Sequence, residues 1–280
     1  MKLLVPFDVT DANFVSSNVT ENDHPVIVNG QAYTAGTRVI YQHAIYEAQT
    51  SNITSWVPPA APTEWLRIGP TNRWAMFDGV VGTITSRATS IQVQVSFNGV
   101  VNDLVLMRVV GTSVQVVMPG VNTTVAVPAA GPEGSTVVIS NMGSTGGTMT
   151  LTLTGTGTVS IGNMSVGVFN TLGDDEWGGS LGIVDYSKKE FDDFGNPNLV
   201  IRDYSRTYKA RVAFATSNFD TIVRILTAVR SKPVVWQGVT GLQSMVLLGY
   251  YKDFSARMES VNRSTVELQI ESLALGDVGA

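Results

Sequence analysis

From Ile91 to Phe97 and again from Thr148 to Leu153, apolar residues alternate one for one with hydroxyl- or amide-bearing ones. Ile91, Val93, Val95 and Phe97 fall on one face and Gln92, Gln94 and Ser96 on the other; Met149, Leu151 and Leu153 alternate in the same way with Thr148, Thr150 and Thr152. A side-chain period of two belongs to the extended strand, so both segments read as strands with one buried face. Leu104 to Val110, Ser113 to Met118 and Thr136 to Ser140 follow at short intervals, separated by Gly, Pro and Asn. Regular short strands with such punctuation predict an antiparallel β-sandwich. The Gly- and Thr-rich tract from Ser144 to Gly157 keeps the same period, which argues for a hairpin and against a linker.

Composition narrows the chemistry. Of 280 residues, 18 are Lys or Arg and 23 Asp or Glu, a net charge of −5, and charged residues make up 15%. An ordinary soluble domain has about 25%. A broadly basic grip on nucleic acid is therefore not expected. With no cysteine there is no thiolate metal site, thiol nucleophile or disulfide. The opening MKLLVPFDVTD has a short apolar run ended by Pro6 and Asp8, too short to read as a signal peptide or a membrane span. Solubility then rests on hydroxyls and amides, or on surface hidden between subunits, and exposed sheet edges invite pairing with other chains.

Four segments follow. Residues 1–25 read as a short strand, Leu3 to Phe7, and a polar arm around Ser16, Ser17 and Asn18 that lacks an apolar period. Residues 26–79 form an aromatic-rich unit of three very short strands, and its end, GPTNRWAMFDG, carries Trp74 and Phe77 as anchors to the next unit. Residues 80–173 hold the sandwich, with a boundary in the charged, Gly-rich run Gly173 to Gly179. Residues 174–280 form an antiparallel β domain with one packed helix at 217–231, where Ile222, Ile225, Leu226 and Val229 make an apolar stripe. Ser217 and Asp220 suggest a capping box, Arg230 and Lys232 complement the C-terminal end, and Pro233 stops the helix. The fold class is mainly β.

Tyr33-x-x-Gly36 followed by Val39, Tyr41, Tyr46 and Trp65 resembles small chitin-binding modules over about 45 residues; the tryptophan expected in front is replaced by Pro25, Val26 and Ile27. The wider order is the PFDVTDANFVSSNVTEND arm, this module, PTNRWAMFD, a galactose-binding-like sandwich, DYSKKEFDDFGN, and a close through KPVVW and LLGYYKDFS. That order resembles a family of tailed-bacteriophage virion proteins along most of the chain. The resemblance implies a structural component of a tail, collar or appendage, located in the virion and partnered by copies of itself and other virion proteins.

The candidate sites each have two readings. Trp56, Tyr33, Tyr46 and Trp65, with Tyr41, supply rings that stack on pyranose faces, with Glu47, Gln49 and Asn52 nearby for hydroxyls; equally, they form the module's small core. Trp56, in the polar run SNITSW, is the ring most open to a host-surface glycan. His24 and His43 have no acidic residue at metal-ligand spacing, so a metal or a histidine base is not expected. Asp174, Asp175 and Glu176, and separately Asp192 and Asp193, offer oxygens to calcium but read better as solvated turns. Arg202, Arg206, Lys209 and Arg211, with Lys188 and Lys189, form a local basic cluster suited to pairing acids on a neighbouring subunit, or to plain solvation. No carboxylate pair, GxSxG segment or phosphate loop stands out, so the chain reads as non-catalytic and without a cofactor.

Overall fold

The computed structural model describes residues 1–53, 55–129, 131, 134–191 and 194–274. In chain order, β1 (Lys2–Leu4) and β2 (Phe14–Ser17) precede a small unit of β3 (Arg38–Tyr41), β4 (Ala44–Ala48) and β5 (Trp65–Pro70). The sandwich strands are β6 (Thr85–Phe97), β7 (Asp103–Val109), β8 (Ser113–Met118), β9 (Val121–Ala126), β10 (Ser135–Ile139), β11 (Gly147–Ile161) and β12 (Asn163–Gly167). After them come β13 (Phe169–Thr171), β14 (Asp174–Asp175), β15 (Ser180–Asp185), β16 (Lys188–Phe191), β17 (Pro197–Val200) and β18 (Tyr204–Ala215). The helix α1 (Phe219–Ala228) and strands β19 (Val234–Gln237), β20 (Val246–Met258) and β21 (Arg263–Ser272) complete the described residues.

The chain is mainly β, with several antiparallel sheets and, among the described residues, one α-helix near the C-terminal end. A five-stranded sheet in the order β2-β6-β11-β8-β9 faces a three-stranded sheet, β10-β7-β12. Between them lies a core of Ile91, Val93, Val95, Leu104, Leu106, Leu151 and their neighbours, which is the expected sandwich. The period-two residues of β6 and β11 all point into it, because burial of one face only is what their pattern encodes.

Strand β7 is buried along its whole length. Leu104 and Leu106 enter the sandwich core, while Val105 and Met107 enter a second cluster with Leu4, Val235, Val246 and Leu248 of the large sheet. Covering on both faces is why DLVLMRV lacks alternation. The large sheet runs β13-β1-β19-β20-β21-β18-β14, with β15 also pairing β18. Its far face carries Leu3, Trp236, Leu247, Val266, Leu268 and Ile270, covered by Ile222 and Leu226 of α1. The layers are thus sheet, sheet, sheet and helix.

Several local expectations are corrected. The helix is shorter than 217–231: Thr216–Asn218 form a 3-10 turn, Asn218 takes the cap position, and no side chain caps it. Ser217 lies inside that turn, so the capping box with Asp220 is not made. Leu3 to Phe7 is extended only over Lys2–Leu4, which slots between β13 and β19. The polar arm, though without an apolar period, joins the sandwich: Phe14–Ser17 pairs with β6, and Asn18 exchanges hydrogen bonds with Gln92 and Ser90. Part of the run Gly173 to Gly179 is strand. Asp174–Asp175 pair with β18, and a Cβ on Gly173 would stand 2.2 Å from the Ala213 carbonyl oxygen at a φ of +148°.

Candidate functional site

The strongest anomaly lies between Trp177 and Ile201. Ten of the 28 large apolar residues exposed among the described residues fall in this stretch, whereas single exposed apolar residues elsewhere are ordinary. Strand β15 forms an outer edge of the large sheet, paired only with β18 and exposed at every position. Beyond Asp185 and Tyr204 the two chains leave the sheet together as a ribbon. Tyr186 N–H donates to the Asp203 carbonyl, and β16 pairs with β17 from Lys188↔Val200 to Phe191↔Pro197. At 3.4 Å per residue the ribbon projects about 20 Å.

Cross-strand partners share a face. Lys189, Phe191, Pro197 and Leu199 therefore form one face of the ribbon, and Lys188, Glu190, Asn198 and Val200 the other. Phe191 is 73% exposed, Leu199 60% and Ile201 81%. Among the described residues β16 and β17 pair only with each other, and every residue of both strands is exposed. An isolated two-stranded ribbon is marginal in water, so its base must be held.

The base is held by a polar cluster. Tyr186 Oη donates to Glu271 Oε1 at 2.9 Å, Ser205 Oγ lies 3.0 Å from Tyr186 Oη and 3.3 Å from the same carboxylate oxygen, and the Lys252 ammonium meets Glu271 Oε2. The Lys252 contact, helped by the two hydroxyls, holds the Glu271 carboxyl below the ordinary range although burial opposes this. Glu271 in turn raises Lys252. Asp185, at the exit of β15, is lowered by hydrogen bonds from the Ser187 hydroxyl and N–H. At the other end of the edge, Arg211 and Arg263 hold the Glu176 and Glu259 carboxylates, with Arg211 Nε 2.9 Å from Glu176 Oε2.

This geometry disperses the basic cluster. Lys209 and Arg211 share the outer face of β18, but Arg211 is paired within its own chain to Glu176 and Glu259. Arg206 is half-buried further along β18, with its N–H donated to Ser272 Oγ, and Arg202 is exposed on the return of the ribbon, where its N–H donates to Ser187 Oγ. Lys188 pairs with Glu190. Asp175 meets the N-terminal amine at 3.1 Å. Among the described residues no group of three or more acids and histidines is placed to hold a metal, and Asp192 and Asp193 lie outside those residues.

The aromatic unit packs inward. Tyr33, Tyr46 and Trp65 are buried with Val39, Ala48 and Ile53, and Tyr33 meets Trp65 edge to face at 5.4 Å. Trp65 Nε1 donates to the Ser55 carbonyl and the Tyr33 hydroxyl accepts Val28 N–H, so their polar ends are spent inside the unit. Trp56 alone of the four candidate rings is open, at 47% exposure. Glu47 is held by Arg38 at 2.8 Å.

A second polar cluster joins this unit to the N-terminal arm. His43 Nδ1 lies 2.8 Å from Glu21 Oε1 and Nε2 lies 2.8 Å from Asp11 Oδ1, while the ring stacks on Trp74 at 4.1 Å. Glu21 also accepts from the Thr71 hydroxyl and faces Arg73. Imidazolium donates from both nitrogens; the neutral ring donates from one. Sequence spacing missed this grouping because the acids stand 22 and 32 positions from the histidine. Nearby, burial raises the Asp78 carboxyl against the pull of the Thr83 hydroxyl and Val80 N–H.

No protein-family model matches the chain, and no curated protein is similar to it by sequence search.

Proposed function

We propose that the chain is a structural subunit of a bacteriophage tail, collar or appendage, an assembly adaptor that works through protein–protein contacts and performs no catalysis. The observation that carries the assembly role is the exposed apolar ribbon with the free edge β15, a surface costly to leave in water and suited to strand addition. The virion setting rests on the segment order that resembles tailed-phage proteins. Mass spectrometry and cryo-electron microscopy of purified particles test it: stoichiometric copies in the tail region support the reading, and absence from particles overturns it.

Exposure of Trp56 beside a packed aromatic unit favours one second reading, a virion module that binds host-surface glycan. Glycan-array binding lost in Trp56→Ala with the fold intact supports it; a flat array with the wild-type chain discards it.

A further inference from the structure

The stretch from Trp177 to Ile201 concentrates exposed apolar side chains more than any other part of the described surface. We infer that its occupant is a second copy of this chain, with the ribbon of one copy laid against edge strand β15 of the next. This deepens the assembly reading and rests on it.

Area is the first argument. Trp177 is fully exposed, Ile183 is 66% exposed, Tyr186 and Val200 are 42% each, and Phe191, Leu199 and Ile201 range from 60% to 81%. Taking roughly 150–250 Å² for a whole aromatic side chain and somewhat less for an aliphatic one, these fractions amount to about 800 Å². In one contact the ribbon comes from one copy and the edge from the next, so this area is shared between the two partners and falls among weak contacts, below ~1,200 Å² in total, that repetition within an assembly reinforces.

Complementarity is the second. Strand β15 presents unpaired backbone groups on its outer side, with no charge before Asp185 in SLGIVD. The ribbon brings two strands whose outer edges are also unpaired, and an apolar face of Phe191, Pro197 and Leu199. Edge and ribbon are thus the two halves of one strand-addition contact carried on the same chain. Because they are different parts of the surface, the contact is head to tail, and repetition closes into a ring or runs on as a filament. Burial in the neighbour also supplies the covering that a lone ribbon lacks.

Light scattering on the full chain from about 1 to 100 μM tests this, with two variants at exposed positions so that folding is kept. Phe191→Ser with Ile201→Ser spoils the ribbon, and Ile183→Lys with Val184→Lys spoils the edge. The wild type is expected to self-associate and each variant to weaken association at least about tenfold. Mixing the two variants is expected to restore pairs, because one copy keeps a sound edge and the other a sound ribbon, but no larger species. A wild-type chain monomeric across the range, or variants that associate as the wild type does, overturns the inference. If the monomeric chain is nevertheless found in purified particles, the assembly reading survives and only the second copy as partner is refuted.

Discussion

Tyr186 and Glu271, 85 positions apart, share a 2.9 Å hydrogen bond from phenol hydroxyl to carboxylate where the ribbon leaves the large sheet. With the Ser205 hydroxyl on the same carboxylate, the bond ties the root of the ribbon to β21. Tyr186→Phe is expected to remove about 1.5–3 kcal/mol of local stability, the range for a hydrogen bond to a charged group. Hydrogen exchange should accelerate over 180–203 while the global melting transition stays nearly unchanged. Unaltered exchange in that stretch would show the anchor to be idle.

The same carboxylate gives the ribbon a dependence on acid. Glu271 is held below its ordinary value of 4.5, chiefly by Lys252. A depressed carboxyl contributes stability that is complete above that ordinary value and is lost as the pH falls through the lower, folded-state value. Proteolysis at the ribbon base is therefore expected to rise on acidification below about pH 4.5. In Glu271→Gln the base should be loosened already at neutral pH, and its response to acid should flatten. Parallel acid profiles for the two proteins would refute the link.

Gly249 is fixed by its neighbours. A Cβ there would lie 2.1 Å from the Glu271 carbonyl oxygen and 2.6 Å from Ser272 Cα, both backbone of the paired strand β21. Neither atom can yield without opening the sheet beside Trp236, whose Nε1 donates to the Gly249 carbonyl at 3.0 Å. Gly249→Ala is expected to cost at least about 2 kcal/mol, as overpacking does in a well-filled core. Urea unfolding would read this as a lowered midpoint.

His43 pins the arm to the small unit. In His43→Ala, Glu21 and Asp11 lose their shared partner and Trp74 loses the ring stacked on it. Asp11 is mostly in water and Glu21 keeps the Thr71 hydroxyl and Arg73, so the loss is that of one part-exposed hydrogen bond and a ring contact, about 0.5–1.5 kcal/mol. Limited proteolysis should then cut within 8–24 before any other site, and an unchanged cleavage pattern would remove the pin from the account.

The strands legible in the sequence are those with one buried face. Ser113–Met118 is readable to the residue, and the cores of β6 and β11 are visible in their alternation. The helix showed through Ile222, Ile225, Leu226 and Val229, although its first turn did not, since the backbone, not Ser217, decides where the cap falls. Strands β16 and β17 gave no period because neither face is covered, so Phe191 and Leu199 stand among charges with nothing to mark them as a surface. The aromatic unit posed the opposite difficulty: rings that pack and rings that bind look alike in sequence. Only burial separates Tyr33, Tyr46 and Trp65 from Trp56.

Period, turn residues and composition determined the β class, the sandwich and the single helix of this protein, because each depends on residues a few positions apart. Which faces meet was decided only by the tertiary structure. β7 buried on both sides, His43 between two distant carboxylates and a ribbon left standing in water all follow from long-range packing, where a side chain's surroundings are set by strands far away in the chain.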